Sequence, residues 1–533
     1  MQQTVPTLLE FASDEMLIDL LIRERAKYRR RNRSDKHHRL DKQCELSELS
    51  VRKMLSRMMP PRRYWVHPKK KIRDRLANET NSATKLTRKA LQLTIERDKE
   101  RAKKGVSFDY LNELTGFIER IQSRLQSGNI TFSSPQLVPV FKDKKPQGNH
   151  YDVTCRPLSV YTALEDKIIL ALISKYLTRH FDRFLHTNIL SYRKIRSFHG
   201  KQRVTDFNDG IELIRAFREA HKDEPIYAAD CDIKKFYDII PHRVVLDCFG
   251  KLLNHVTFTH PDGRDQVMHV LEAYLASYNF YDNAWLAQSA HPEVFDKVRR
   301  RLHDRGKRNT YRFGWVDECL KEPEDAQRCR GISQGGALSL LIANIVLNDV
   351  DSVLTAEDDP NRLFVRFCDD MILLHTDYDR CCRLMQHYAR SLEEHGLYYH
   401  DFRSVDASDR KAFWHIKSHY PFLWDDDQEN SNRYIGFLGY EMRRDGRIRL
   451  RKSNIQRVED KFLRQFYALR RYRQQHTDEE YQAQKQKALT RVLDSVEVYK
   501  GLDQAKFRSG SQYRHLVKIL HHTEHRLLRQ PRK

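Results

Sequence analysis

The stretch VRFCDDMILLH, residues 365–375, places two acids, Asp369 and Asp370, side by side between apolar runs. Like charges held together in β-structure repel each other. A structural protein gains little from that arrangement. Divalent cations would neutralise the pair, because Mg2+ takes hard oxygen ligands and keeps waters that a substrate phosphate can replace. A paired metal site can clamp the attacking and leaving oxygens of an in-line phosphoryl transfer. Such a site needs another carboxylate from elsewhere in the chain. YAADCDIKKFYDIIPH, residues 227–242, offers Asp230, Asp232 and Asp238 beside apolar, strand-like neighbours. For the acidic pair alone, the plain alternative is a solvated turn. Strand-like flanks on both sides weigh against it. So does SQGG at 333–336, a backbone able to approach a ligand closely.

Elements must position these acids, and the chain has ample material for them. Its 533 residues allow one to four domains, and 40% hydrophobic residues can bury a substantial core. Lys and Arg total 96 against 73 Asp and Glu, a formal net charge of +23. That balance favours an acidic partner, nucleic acid being the usual one, over a merely basic soluble protein. The nine cysteines are scattered, with no CxxC and no zinc spacing with histidines. Without a cleavable apolar N-terminus, the chain reads as reduced and cytoplasmic. No apolar run approaches the roughly 20 residues that span a bilayer, so no membrane partner is expected.

Residues 1–130 read as a basic helical region. DEMLIDLLIRERAKYRRR carries an apolar stripe, a preceding Ser13 cap and a basic end. SFDYLNELTGFIERIQSRLQSGN is a second helix, with Ser107 as candidate cap and Gly128 as stop. Between them, PPRRYWVHPKKKIRDR interleaves cations with Tyr64 and Trp65, which suits phosphate contacts with base stacking as well as it suits a solvated loop. Residues 137–160 read as two strands around a basic turn, and 162–186 as a helix. The segment 243–328 reads as mostly helical. GISQGGALSLLIANIVLNDVD is a Gly-rich loop feeding an apolar helix. In SNRYIGFLGYEMRRDGRIRLR, Asp445-Gly446 is the expected type I′ hairpin turn. After 453 the chain reads as helical and basic.

Five ordered motifs resemble those of reverse transcriptases. FCDD looks like their Y/F-x-D-D signature, and DIKKFYDIIPH resembles their first catalytic motif. GISQGGALSLLIANIVLNDVD resembles a motif that in bacterial members reads roughly G-x-x-Q-G-x-x-x-S-P-x-x-x-N. RPLSVYTALEDKIILALISKYL, followed by SYRKIRSFH, resembles the early fingers motifs of group II intron and related bacterial enzymes. YIGFLGYEMRRDGRIRLRKSNIQR looks like the primer-grip hairpin and the start of the thumb. The resemblance covers about residues 137–470.

The resemblance implies an α+β right-hand polymerase with an extra helical N-terminal region. Fingers would occupy 131–225, a ferredoxin-like palm 226–450 with an insertion-like 243–328, and a helical thumb and tail 451–533. It makes Asp232, Asp369 and Asp370 the catalytic residues and the ligands of Mg2+, with Mn2+ as an alternative and the Ile233 carbonyl as helper. Tyr237 would pack under the sugar and exclude a 2′-hydroxyl, which implies deoxynucleotides. Phe236 is counted beside it at the nucleotide, although Phe236 and Asp238 also read as structural. Gln334 and Gly335 would line the nucleotide and template pocket at a helix N-terminus. Arg156 would meet the triphosphate with its fork of donors. Lys142, Lys144 and Lys145 are weaker candidates for the same task. Phe437, Leu438 and Gly439 would form the primer grip.

Three departures stand out. Leu340 replaces the usual Pro, which shifts the helix start without removing chemistry. Arg403 stands where many relatives carry a Lys suited to protonating pyrophosphate; an Arg is a poor proton donor but can stabilise charge. The 243–328 segment is longer than expected between these motifs. Among subgroups, the chain lacks the zinc-type nuclease spacing of many group II intron proteins. NAWLA also lacks the His of the retron N-A-x-x-H element, and no VTG occurs. Elimination leaves the defence-associated bacterial reverse transcriptases, which implies an RNA template that is a non-coding RNA, a DNA product, and deoxynucleoside triphosphates as substrates. A homo-oligomer or accessory protein is open; Tyr499 and Tyr513 could in principle prime synthesis, but both read first as packing residues. The rivals are a group II intron-type maturase, an RNA-dependent RNA polymerase and a non-catalytic RNA-binding scaffold.

Overall fold

The computed structural model describes residues 4–31, 42–77, 82–128, 130–191, 193–196, 202–205, 207–302, 304, 309–402, 410–425, 431–497 and 518. Arg403, Tyr499 and Tyr513 lie outside them. The strands, in chain order, are β1 (Gln136–Gln147), β2 (His150–Val160), β3 (Lys194–Arg196), β4 (Gln202–Val204), β5 (Tyr227–Cys231) and β6 (Thr310–Phe313). They continue as β7 (Arg362–Phe367), β8 (Asp370–His375), β9 (His419–Leu423), β10 (Tyr434–Phe437), β11 (Tyr440–Arg443) and β12 (Ile448–Leu450). The chain forms two compact units. One takes Met1–Val204, Ile233–Ser352 and Arg390–Tyr398; the other takes Thr205–Asp232, Val353–Ala389 and Tyr399–Lys533.

In the first unit, the helix Asp14–Arg31 starts where Ser13 Oγ accepts from the Met16 N–H at 3.3 Å. It packs on the helices Ser82–Ala102 and Leu164–Phe181. The helix Asp109–Gln126 buries Tyr110, Leu111, Leu114, Phe117, Ile118, Ile121 and Leu125, the stripe its periodicity predicts. Its N-cap is Phe108 with no side-chain cap bond, so Ser107 is not the cap. Gly128, expected as the stop, follows with φ +67°, a left-handed conformation that glycine adopts without penalty.

β1 and β2 form a long antiparallel hairpin, and β6 adds to β2 in parallel. β6 interrupts the otherwise mostly helical 243–328 segment: TYRF alternates, burying Tyr311 and Phe313 while Thr310 and Arg312 face out. Along β2 the same period buries Val153, Cys155, Pro157 and Ser159 and exposes Arg156 and Leu158. Val153, Cys155, Phe280, Phe295, Tyr311 and Phe313 share one apolar cluster.

The second unit holds a four-stranded antiparallel sheet in the order β7-β8-β5-β9. The helix Phe207–Ala220 packs on β7. β10, β11 and β12 form a second antiparallel sheet. The tight turn lies between β10 and β11, where Leu438 and Gly439 have φ +50° and +85°, the two positive angles of a type I′ turn. At Asp445-Gly446, where that turn was expected, only Gly446 is left-handed, and four residues separate β11 from β12. The following helix, Lys452–Arg473, buries Val458, Phe462, Phe466 and Leu469 at helical spacing and packs on the helix Asp478–Glu497. Helices combine with mainly antiparallel sheets, so the architecture is α+β.

Candidate active site

β7 and β8 are joined by two residues only, Cys368 and Asp369, with Phe367 opposite Asp370 as the last pair. So short a connection needs a positive φ, and Cys368 supplies it at +58°. A non-glycine residue there costs of order 1–3 kcal/mol, so its surroundings must hold it. Arg366, fully buried, donates from Nη1 to the Cys368 carbonyl at 3.0 Å and clamps the tip from below. β5 lies beside β8, with Cys231 opposite Met371 as the last pair. Asp232 follows Cys231 and Asp370 precedes Met371, so the antiparallel register puts both acids at the same end of neighbouring strands. Asp369 sits on the adjoining tip.

Like charges are crowded there. The Asp370 carboxyl is pushed up to about 7, first by desolvation, then by the like charges of Asp369 and Asp232, against a lowering pull from Arg451. Asp370 keeps an exposed surface. Water therefore recovers part of the desolvation, and like-charge repulsion is the part that a bound cation would cancel. Asp232 has an exposed counter-charge: Lys417 Nζ lies 3.3 Å from its Oδ2, with His400 Nε2 3.8 Å from the same oxygen. The Asp232 backbone is pinned by its N–H donating to Ser418 Oγ at 3.0 Å and its carbonyl accepting from the His400 N–H at 2.9 Å.

Asp230, the neighbouring candidate, is taken by the fold. His419 Nδ1 lies 2.8 and 2.9 Å from its two oxygens, and the His419 N–H donates to it at 3.1 Å. Burial works to lower the His419 pKa, but Asp230 and the Phe413 carbonyl outweigh it and hold the ring protonated more firmly than usual.

A divalent ion of the Mg2+ or Mn2+ type fits this donor set: three carboxylates, hard ligands, one of them raised by desolvation and by its like-charged neighbours. Their oxygens are not gathered as tightly as such an ion would draw them. Among the described residues they do not form a group with all ligand atoms within 4.8 Å, as Cys248, Asp349 and His395 do.

The sequence candidates for contacts with the nucleotide lie in the first unit. Ile233, read as a carbonyl helper, has a buried side chain. Phe236 is buried and meets the half-buried Tyr237 edge-on, with ring centroids 5.3 Å apart. Gln334 is fixed twice: its carbonyl accepts from the Ser159 N–H at 2.8 Å, and its Nε2 donates to Asp238 Oδ1 at 2.6 Å. Asp238 is buried, and burial pushes its carboxyl up to about 6 against the lowering pull of Lys235, Gln334, Lys142 and Arg156. Arg156 and Lys142 thus lie within electrostatic reach of the Gln334 anchor, both on exposed strand positions. Gly335 has φ +83° and touches β2 so closely that a Cβ would meet Leu158 Cδ1 at 2.6 Å. Lys144 stacks its ammonium 5.0 Å from the Tyr151 ring.

In the second unit, Leu438 and Gly439 form the β10–β11 turn, and Asn454 Nδ2 donates to the Gly439 carbonyl at 3.0 Å. In the N-terminal basic stretch, Tyr64 is 53% exposed, whereas Trp65 Nε1 is spent on the Pro60 carbonyl at 2.8 Å. Sequence reading missed Lys417, His400, His419, Arg451 and Arg366. The only signal for the first three was their proximity to apolar residues in GLYYHDF and HIKSHYPFLW.

A family model described as reverse transcriptase (RNA-dependent DNA polymerase) matches residues 279–442. That stretch contains Gln334, Gly335, Asp369 and Asp370; Arg156, Asp232, Phe236 and Tyr237 precede it. No curated protein sequence matches the chain. Similar solved structures include an apo telomerase from Candida tropicalis truncated from its C-terminal domain, with TM-score 0.33 and 13% identity, covering 60% of this chain and 55% of that one. Telomerase from Candida albicans with a TWJ fragment of telomeric RNA gives TM-score 0.33 and 13% identity, covering 76% and 62%. Telomerase from Candida tropicalis with such a fragment gives 0.35 and 12%, covering 79% and 66%. The chain covers less than two thirds of the length of each of these telomerases. Among the described residues, no helix is long and apolar enough to cross a membrane. With the paired acids at a hairpin tip inside the matched stretch, the chain carries a reverse transcriptase family domain over residues 279–442, in an α+β fold.

Proposed function

We propose that the chain is an RNA-directed DNA polymerase that joins deoxynucleotides to a primer 3′-hydroxyl with release of pyrophosphate. One observation carries the reading: Asp232 and Asp370 end neighbouring strands beside Asp369, and desolvation together with the like charges of Asp369 and Asp232 raises the Asp370 carboxyl to about 7. A divalent ion held by Asp232, Asp369 and Asp370, with the Ile233 carbonyl as helper, would supply neutralisation of charge at the transferring phosphoryl group.

The chain's own groups have separate tasks. Arg366 and the left-handed Cys368 fix the tip that presents Asp369. Tyr237, backed by buried Phe236, walls the sugar and selects against a 2′-hydroxyl. Arg156 and Lys142 meet the triphosphate, and Gln334 with Gly335 supports nucleotide and template. The Phe437-Leu438-Gly439 turn supports the primer end. Positioning and electrostatics supply the catalysis.

The finer assignment is a bacterial, defence-associated enzyme acting in the cytoplasm. It would copy a non-coding RNA and respond to phage, as a homo-oligomer or with an accessory protein. Motif differences from intron and retron enzymes support it, and the +23 charge supports a nucleic-acid partner.

The test uses purified protein with its co-purifying nucleic acid, Mg2+ and labelled deoxynucleotides, singly and together. An Asp369→Ala, Asp370→Ala protein serves as control. Ribonuclease-sensitive synthesis of DNA that disappears in the control is the expected result. Ribonucleotide incorporation at equal efficiency, or no synthesis in the presence of bound RNA, overturns the reading.

A further inference from the structure

The first unit contains a second cluster that the polymerase reading leaves unused. Cys248 on the helix His242–Leu253, Asp349 on the helix Ser339–Thr355 and His395 just after the helix Tyr378–Glu394 bring one ligand atom each to within 4.8 Å of the others. His395 Nε2 lies 3.0 Å from Asp349 Oδ2, and Cys248 Sγ lies 3.7 Å from the same oxygen. Around tetrahedral zinc, with bonds of roughly 2.0 Å to N and O and 2.3 Å to S, ligand atoms are about 3.3 Å (N to O) and 3.5 Å (S to O) apart. The cluster is already close to those separations.

The donor pattern points the same way. His395 Nδ1 lies 2.6 Å from the Ser391 carbonyl, which can only accept, so Nδ1 carries the hydrogen. In a neutral ring this leaves the Nε2 lone pair facing a carboxylate oxygen, which is also an acceptor. Something positive must sit between them, either a proton or a metal ion. Histidines that ligate metals donate their other ring N–H to a carbonyl or carboxylate in this manner. Lys251 Nζ, 2.6 Å from Asp349 Oδ2, is the present counter-charge, and its side chain is 63% exposed. It can swing into solvent at little cost. Cys248 is buried, whereas Asp349 and His395 are partly open, which leaves room for water as a fourth ligand.

We propose that Cys248, Asp349 and His395 form a zinc site distinct from the aspartates of the polymerase site, with Lys251 displaced on binding and the thiol proton released to solvent. A thiolate and an imidazole select a zinc-like ion over Mg2+. The bound ion ties together three chain segments in the first unit and stabilises it by linkage.

The experiment uses full-length protein stripped with a chelator, then supplied with excess Mg2+ to occupy the carboxylates. Co2+ is titrated as a spectroscopic probe and Zn2+ is added to displace it. The expected result is one equivalent of Co2+ with thiolate-to-metal charge-transfer absorption, lost in Cys248→Ser, together with a higher melting temperature on adding Zn2+. Lys251→Met, an exposed change that leaves all three ligands in place, should bind Co2+ at least fivefold more tightly. No thiolate absorption in wild type, absorption that survives Cys248→Ser, or unchanged or weaker binding by Lys251→Met overturns the proposal. The cluster would then be a hydrogen-bonded hub only.

Discussion

Lys417 offers a prediction whose sign is unusual: removing a basic residue beside the candidate active site should tighten metal binding. Its Nζ lies 3.3 Å from Asp232 Oδ2, and its side chain is 56% exposed. In a water-like dielectric, unit charges at that separation attract by about 1.3 kcal/mol. Screening and the entropy of a mobile lysine reduce this to roughly 0.5–1 kcal/mol. An ion that takes Asp232 must give up that contact, so Lys417→Met should raise affinity about two- to fivefold. The assay is electron paramagnetic resonance of free Mn2+ during titration of the protein without nucleotide, so that no triphosphate contact of Lys417 enters. The gain should grow at low ionic strength. It should vanish in an Asp232→Asn background, because the lysine then has no carboxylate to release. Weaker Mn2+ binding by Lys417→Met, or the same gain with Asn at 232, would refute the reasoning.

Asp238→Asn should remove a pH dependence of stability. With the folded carboxyl pushed up to about 6, the folded state holds a proton that the unfolded chain has lost above about pH 4. Wild-type stability should therefore fall by roughly 2–3 kcal/mol as pH rises from about 4 through 6, and the Asn variant should escape that part of the fall while keeping the Gln334 bond; urea melts across that range decide. Gly335→Ala should cost about 1–2 kcal/mol, and adding Leu158→Ala should recover the clash but not the cost of the left-handed backbone, read again by urea melts. Arg366→Met strips the Cys368 carbonyl of its buried donor; stability should drop by about 1–3 kcal/mol, and nucleotide incorporation should fall as the tip loosens. Nucleic-acid affinity should fall linearly in log–log fashion with salt, and a flat profile would remove the inference drawn from the +23 charge.

Elements that rest on their own periodicity were legible in advance. The Asp14–Arg31 and Asp109–Gln126 helices, the β1–β2 hairpin and the β7–β8 hairpin all carry a local pattern and a local stop. Elements made by distant partners were not. β6 is four residues long and exists because it pairs with β2, more than 150 residues earlier. β9 pairs with β5 across a similar gap, and HIKSHYPFLW shows no alternation strong enough to announce a strand. The hairpin turns show the limit of dipeptide signals. Asp-Gly suggested the type I′ turn, but Leu438-Gly439 forms it, helped by Asn454 reaching the Gly439 carbonyl. The turn follows the pairing register of β10 and β11, which a dipeptide does not encode.

The acids of DCDIKKFYD show why the site was only partly readable. Asp230 and Asp232 are two residues apart, so a strand places them on one face, and spacing alone cannot say which would bind metal. The fold separates them by the counter-charge each receives. Asp230 faces His419, a buried ring that also holds the Phe413 carbonyl and cannot leave without breaking β9 from β5. Asp232 faces Lys417, an exposed side chain that also touches His400 Nε2 at 3.1 Å and is not buried in the sheet. Asp238 is answered by a neutral hydrogen-bond donor, Gln334, and by the charges of Lys235, Lys142 and Arg156, which burial outweighs, so its proton equilibrium is shifted upward. One acid is thereby structural, one exchangeable and one able to hold a proton near neutrality. Only an acid with a replaceable counter-charge can serve an ion that must come and go with substrate. That property belongs to β9 and to Lys417, and it is invisible in the motif that carries the acid.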